Sequence, residues 1–124
     1  MTWHLLPPTA DDPIVRLTMT GRADTPSLGA AFGACLAECV EHDVWRVITD
    51  LREMSAEHTV VDLFGLIATM TDLGVADRFR EALIVGPDAG TRELAGFFET
   101  VAVNRGLAVR VLTDVAEAEA WLTA

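Results

Sequence analysis

The chain has 124 residues, 51% hydrophobic and 23% charged, with a formal net charge of -10, which suits one compact domain burying about two thirds of the surface of its unfolded chain. The apolar content excludes disorder, and 9 Gly and 2 Cys exclude collagen-like and disulfide-framed scaffolds. All nine basic residues are Arg, so Schiff-base chemistry, a Walker lysine and a lysine base are impossible, while the acidic surplus repels nucleic acid and anionic membranes.

Residues 2–6 (TWHLL) read as a short strand ended by Pro7 and Pro8. After the Asp12-Pro13 turn, Val15, Leu17 and Met19 alternate with Arg16, Thr18 and Thr20, the pattern of a strand with unlike faces. Thr25-Pro26 supplies an N-cap and an N1 proline for a helix to about Asp43. Trp45 to Leu51 is a β-branched strand, and Thr59 with Asp62 has the form of a capping box opening a second helix to about Leu73. The apolar run 82–86 (ALIVG) reads as a central strand covered on both faces. A helix over about 90–104, a last strand over 107–112 and a final helix capped by Thr113-Asp114 complete the order ββαβαβαβα. Strands separated by helices imply right-handed crossovers. The expected fold is therefore α/β, a mostly parallel mixed sheet of about five strands with an antiparallel edge and four helices, in a single domain over 1–124.

No apolar stretch reaches a membrane span, because Glu38, Glu41, Asp62 and Asp72 interrupt the longest candidates. The start MTWHLLPPTADD lacks the basic and apolar regions of a signal peptide, so the expected location is cytoplasmic.

In such sheets function gathers beyond the carboxyl ends of the strands. Here that end holds three loops, Asp50 to Thr59, Gly86 to Thr91 and Thr113-Asp114. The runs VITDLREMSAEHT, ALIVGPDAGTRELAGFFE and RGLAVRVLTDVAEAEAWL resemble the bacterial STAS-like proteins, the superfamily of anti-sigma-factor antagonists, and within it a branch of small stand-alone members. The similarity runs from about Asp12 onward. It implies a mixed sheet with helices, a partner protein, and a switch by phosphorylation of a Ser or Thr at the start of the second helix. Relatives of the branch have also been compared with the CRAL-TRIO lipid-binding fold. Following Asp50-Leu51, the acceptor position falls on Thr59; the chain departs from the pattern at His58, where the family has Asp, and at Val61, where it has Gly.

A phosphate on Thr59 would sit on a helix N-terminus, whose free N-H groups favour anions, and a bland reading makes Thr59 simply the helix cap. Ser55 is the second acceptor candidate, with a loop hydroxyl bonded to local backbone as its plain alternative. At about 100° per residue the second helix leaves Asp62, Gly65, Thr69 and Asp72 on a narrow arc, so its apolar face is too wide for one sheet. The excess meets a neighbouring loop or helix, or else, with Val60, Val61, Phe64 and Ile67 beside Asp50 and His58, it is the expected surface for a partner protein, a second copy in a homodimer, or an apolar small molecule.

Helix N-termini aided by Arg52 and Arg92 would suit an anion, but Asp50, Glu53, Glu57, Asp88 and Asp114 in the same loops favour self-capping. Cys35, Cys39 and His42 share a helical face at metal-ligand spacing, yet Leu28, Phe32, Cys35 and Cys39 continue one core stripe. The cysteines therefore read as core, with no metal and no cofactor expected, and His42 as a charge partner at the helix end. Gly29 and Gly33 read as places where the helix closes on the sheet or a neighbour. The leading expectation is a non-catalytic regulatory or protein-interaction module. An apolar small-molecule or lipid-binding protein is the alternative, and an enzyme using His58 and Asp50 comes third.

Overall fold

The computed structural model describes residues 1–56 and 63–124. In chain order it contains β1 (Thr2–Leu6), β2 (Val15–Arg22), α1 (Thr25–His42), β3 (Arg46–Ser55), α2 (Leu63–Asp72), β4 (Arg80–Val85), α3 (Ala89–Asn104), β5 (Ala108–Leu112) and α4 (Val115–Leu122). The strands form one five-stranded sheet in the order β1-β2-β3-β4-β5. β1 is antiparallel to β2 and the other pairs are parallel. Fold class and element order are those expected from the sequence.

Consecutive parallel strands joined by right-handed crossovers carry their helices on one face. The core follows this rule. Val15, Leu17, Met19, Val47, Leu83 and Val109 pack with Leu28, Cys35 and Cys39 of α1, Ile67 and Met70 of α2, and Phe98 and Ala102 of α3. Residues one position out of phase, Ile48, Ala82 and Ile84, face the other way and pack with Ala118 and Leu122 of α4. Strand alternation therefore sorts side chains into two layers, and β4, covered on both faces, is buried from Glu81 to Val85. No helix among the described residues is long and apolar enough to cross a membrane.

Several boundaries differ from the sequence reading, each for a local reason. The cap of α1 is Asp24, whose carboxylate accepts from Ser27 N at 2.8 Å; Thr25 is the first helical residue, ahead of Pro26. α1 stops at Asp43, held in the left-handed region at φ 51, with its carboxylate accepting from Trp45 Nε1 at 2.9 Å and Arg78 Nη1 at 3.0 Å. Asp is one of the few non-glycine residues that visit this region routinely. β3 runs to Ser55 because β2 stays alongside it to the pair Arg22 and Ser55, after a register shift between Thr18 and Thr20. The Thr59 and Asp62 capping box lies outside the described residues.

The cysteines are free and buried, as expected of core residues. His42 turns back to Glu38, with Nε2 to Oε2 at 3.1 Å. Gly29 and Gly33 are not close-approach positions, since an added Cβ would meet nothing within 4 Å at either. Trp121 packs under the Arg80 guanidinium, 4.6 Å from the ring centroid. At the β5 edge the Glu99 carboxylate accepts from the free Val111 N-H at 2.6 Å, closing part of a ladder that would otherwise invite another strand.

Candidate functional site

The carboxyl ends of β3 and β4 are tied together by the chain itself. Asp88 caps α3, accepting from Thr91 N at 2.9 Å, and also accepts from Ala56 N at 3.3 Å beyond the end of β3. The Thr91 hydroxyl, fully buried, shares its proton between the Met54 carbonyl at 2.7 Å and the Asp88 carboxylate at 2.9 Å. The backbone and hydroxyl of Thr91, then Ala56 N, hold the Asp88 carboxyl below its ordinary value. Arg92 Nε donates to the Gly86 carbonyl. Arg52 donates to Asp50 through its backbone N, Nε and Nη2 at 3.1, 3.0 and 2.8 Å. Among the described residues, Arg52, Arg92 and the N-terminus of α3 are thus engaged with internal partners.

Thr91→Val keeps the shape but leaves the Met54 carbonyl, inside the structure, without its donor. The expected cost is about 1–3 kcal/mol, read as a lower urea midpoint at unchanged slope.

Of the sequence-derived site residues, Asp50 and Ser55 are both half-buried on β3. The Arg52 guanidinium keeps the Asp50 carboxyl below its usual range, so it is a committed ion-pair partner and a weak base. Ser55 is the last strand residue, paired with Arg22, and its carbonyl accepts from Ala23 N at 2.7 Å; its place is a strand end and not a free loop. Ile67 is fully buried in the core, which corrects its assignment to a partner-facing surface: α2 turns this side of its wide apolar face onto the sheet and α3. His58, Thr59, Val60 and Val61 lie outside the described residues, and Phe64 is described only as backbone within α2.

The feature that the sequence reading missed lies under the helices. A cavity of about 70 Å³ sits between the sheet residues Met19, Leu51, Met54 and Leu83 and the helix residues Leu28, Phe32, Leu66, Leu94, Ala95 and Phe98. Among the described residues its polar lining residues are Thr49 and Glu81. Glu81 is 4% exposed, and the Thr49 hydroxyl donates to its Oε2 at 2.6 Å. Among the described residues its other oxygen, Oε1, has no hydrogen-bond partner. Burial pushes the Glu81 carboxyl up to about 7, against the smaller opposing effect of the Thr49 hydrogen bond.

Glu81 reaches this position by strand alternation. With Leu83 and Val85 it occupies the β4 positions that face α1 to α3, while Ala82 and Ile84 face α4. The apolar run that marks this strand in the sequence begins at Ala82 and stops short of Glu81; extending the alternation by one residue puts Glu81 on the core face. A wider depression of about 540 Å³ along β5, flanked by Glu99, Arg110 and Trp121, has no comparable buried polar group among its lining residues.

No family model, curated protein or solved structure matches this chain.

Proposed function

We propose that the chain is a non-catalytic binding protein for a small, largely apolar molecule held in the cavity beneath α1, α2 and α3. The observation that carries this reading is the buried Glu81 carboxyl, with one oxygen unpaired among the described residues, in a cavity lining whose other described residues apart from Thr49 are apolar. Native interiors pair roughly 90% or more of their buried polar groups, and small-molecule sites combine apolar walls with a few convergent polar atoms. The two buried free thiols suit a reducing compartment such as the cytoplasm.

The methionine methyls report on this site. Met19 and Met54 line the cavity, whereas Met70, fully buried, lies outside its lining. Under xenon pressure the Met19 and Met54 methyl resonances are expected to shift while that of Met70 stays in place, and Ala95→Leu, which fills the cavity from α3, is expected to abolish the shift. Unmoved Met19 and Met54 resonances in the wild type overturn the reading.

A second reading is the STAS-like regulatory module implied by the sequence resemblance, with a partner protein or a second copy on α2 and the 50–59 segment and a switch at Thr59 or Ser55. Its support is the mixed sheet with an antiparallel first strand, together with Leu73, 43% exposed just beyond the end of α2.

A further inference from the structure

We propose that the cavity selects a short-chain alkylammonium ion, its few carbons against the apolar walls and its N-H groups donating to the Glu81 carboxylate. This rests on the small-molecule reading above and names the chemical class of the ligand.

Three observations separate a cation from other small molecules. The first is the state of Glu81. Thr49 already occupies Oε2 and Oε1 has no partner among the described residues, so the carboxylate keeps acceptor capacity on an ionisable group, with no cationic side chain among the described residues lining the cavity. An alcohol offers one donor and leaves a carboxylate charge uncompensated, whereas an ammonium supplies donor and opposite charge together, the stronger kind of hydrogen bond. The usual objection to a buried ion pair is the cost of desolvating both ions. Here Glu81 is desolvated by folding itself, so binding adds only the cost for the ammonium.

The second is the surrounding field. On α1 the Cys35 thiol is pushed up by its Cys39 contact, by burial, and by the charges of Glu81 and Glu38, so it stays neutral. From β3 the facing group is Thr49, a neutral donor. These groups are neutral or negative, and the whole chain carries -10, which concentrates cations and repels carboxylate ligands.

The third is size. The cavity offers about 70 Å³ and opens to the surface, so about three or four heavy atoms fill it without requiring a longer chain.

The test uses n-propylammonium, 1-propanol and propionate, each titrated against the intact protein at pH 8 with the Met19 and Met54 methyls as reporters. The expected result is n-propylammonium binding about tenfold or more tighter than 1-propanol, with propionate weakest. Glu81→Gln is expected to bring n-propylammonium down to the 1-propanol level while the xenon response persists. Below about pH 7 Glu81 must lose its proton to receive the cation, so the ammonium affinity should fall there while that of 1-propanol does not. Equal binding of 1-propanol and n-propylammonium by the wild type, or an ammonium affinity untouched by Glu81→Gln, sinks the ammonium inference. If xenon still binds in that case, the cavity reading stands; if xenon fails too, both fall. The three-ligand comparison on the wild type decides the matter even if a variant folds poorly.

Discussion

Between pH 4 and pH 8 the stability advantage of Glu81→Gln over the wild type is expected to grow by about 3 kcal/mol. The Glu81 carboxyl sits at about 7 in the folded chain, chiefly through burial, against 4.5 for the ordinary group. Between those values the folded state keeps a proton that the unfolded state has released. Wild-type stability from this group is therefore fully present below about 4.5, falls as pH rises toward 7 and levels off above it. Glutamine has no such titration and retains an oxygen for the Thr49 hydroxyl.

The interpretation rests on the change in the difference, because the amide brings its own unpaired donors at every pH. Asp12, Asp50 and Asp88, whose carboxyls are held low by Arg16, by Arg52 and by Thr91 respectively, act in the opposite direction and weaken the fold as pH falls. They are present in both proteins and cancel. Urea unfolding of the pair at pH 4, 6 and 8 measures the effect, and a difference that stays constant across the three would show that Glu81 does not titrate near 7.

Gly86→Ala is expected to destabilise the protein by about 3 kcal/mol, lowering the melting temperature by about 10 °C. An added Cβ would stand 2.6 Å from the Arg52 carbonyl oxygen and 3.2 Å from the Arg52 Cα. Both are backbone atoms just beyond the paired residues Leu51 and Val85, so no side chain can swing aside. The β3 and β4 ends must separate, which pulls on the Thr91 to Met54 and Ala56 to Asp88 hydrogen bonds beside them. Thermal unfolding followed by circular dichroism reports the loss, and a melting point within about 2 °C of the wild type would mean that the strand ends yield easily.

The sequence reading and the structure agree where the signal is periodic. The alternation of Val15, Leu17 and Met19, the unbroken run Ala82 to Val85, and the stripe of Leu28, Cys35 and Cys39 each reach the face that their spacing implies. Self-capping was legible at Asp88 and Asp114, which stand immediately before their helices, whereas the cap of α1 is Asp24 and not the expected Thr25. The candidate site was less accessible. Asp50 looks like a free loop carboxylate in sequence, and only the folded strand end shows Arg52 wrapped around it. Ile67 was legible as apolar, but which part of a wide apolar helix face meets the sheet depends on the neighbouring helix.

The sequence by itself determined the element order, the sheet and its antiparallel first strand, the two-sided burial of β4 and the core placement of the cysteines, because these follow from side-chain period, turn residues and the handedness of crossovers. Tertiary structure decided the rest. Whether Glu81 is a solvated strand-end charge or a buried carboxyl depends on Thr49, 32 positions earlier, and on α1 and α3 closing above it. A polar residue in a strand carries no local mark of what will pack over it. Its hydration is removed by distant segments, and that single event creates the polar point on the cavity wall and the displaced titration.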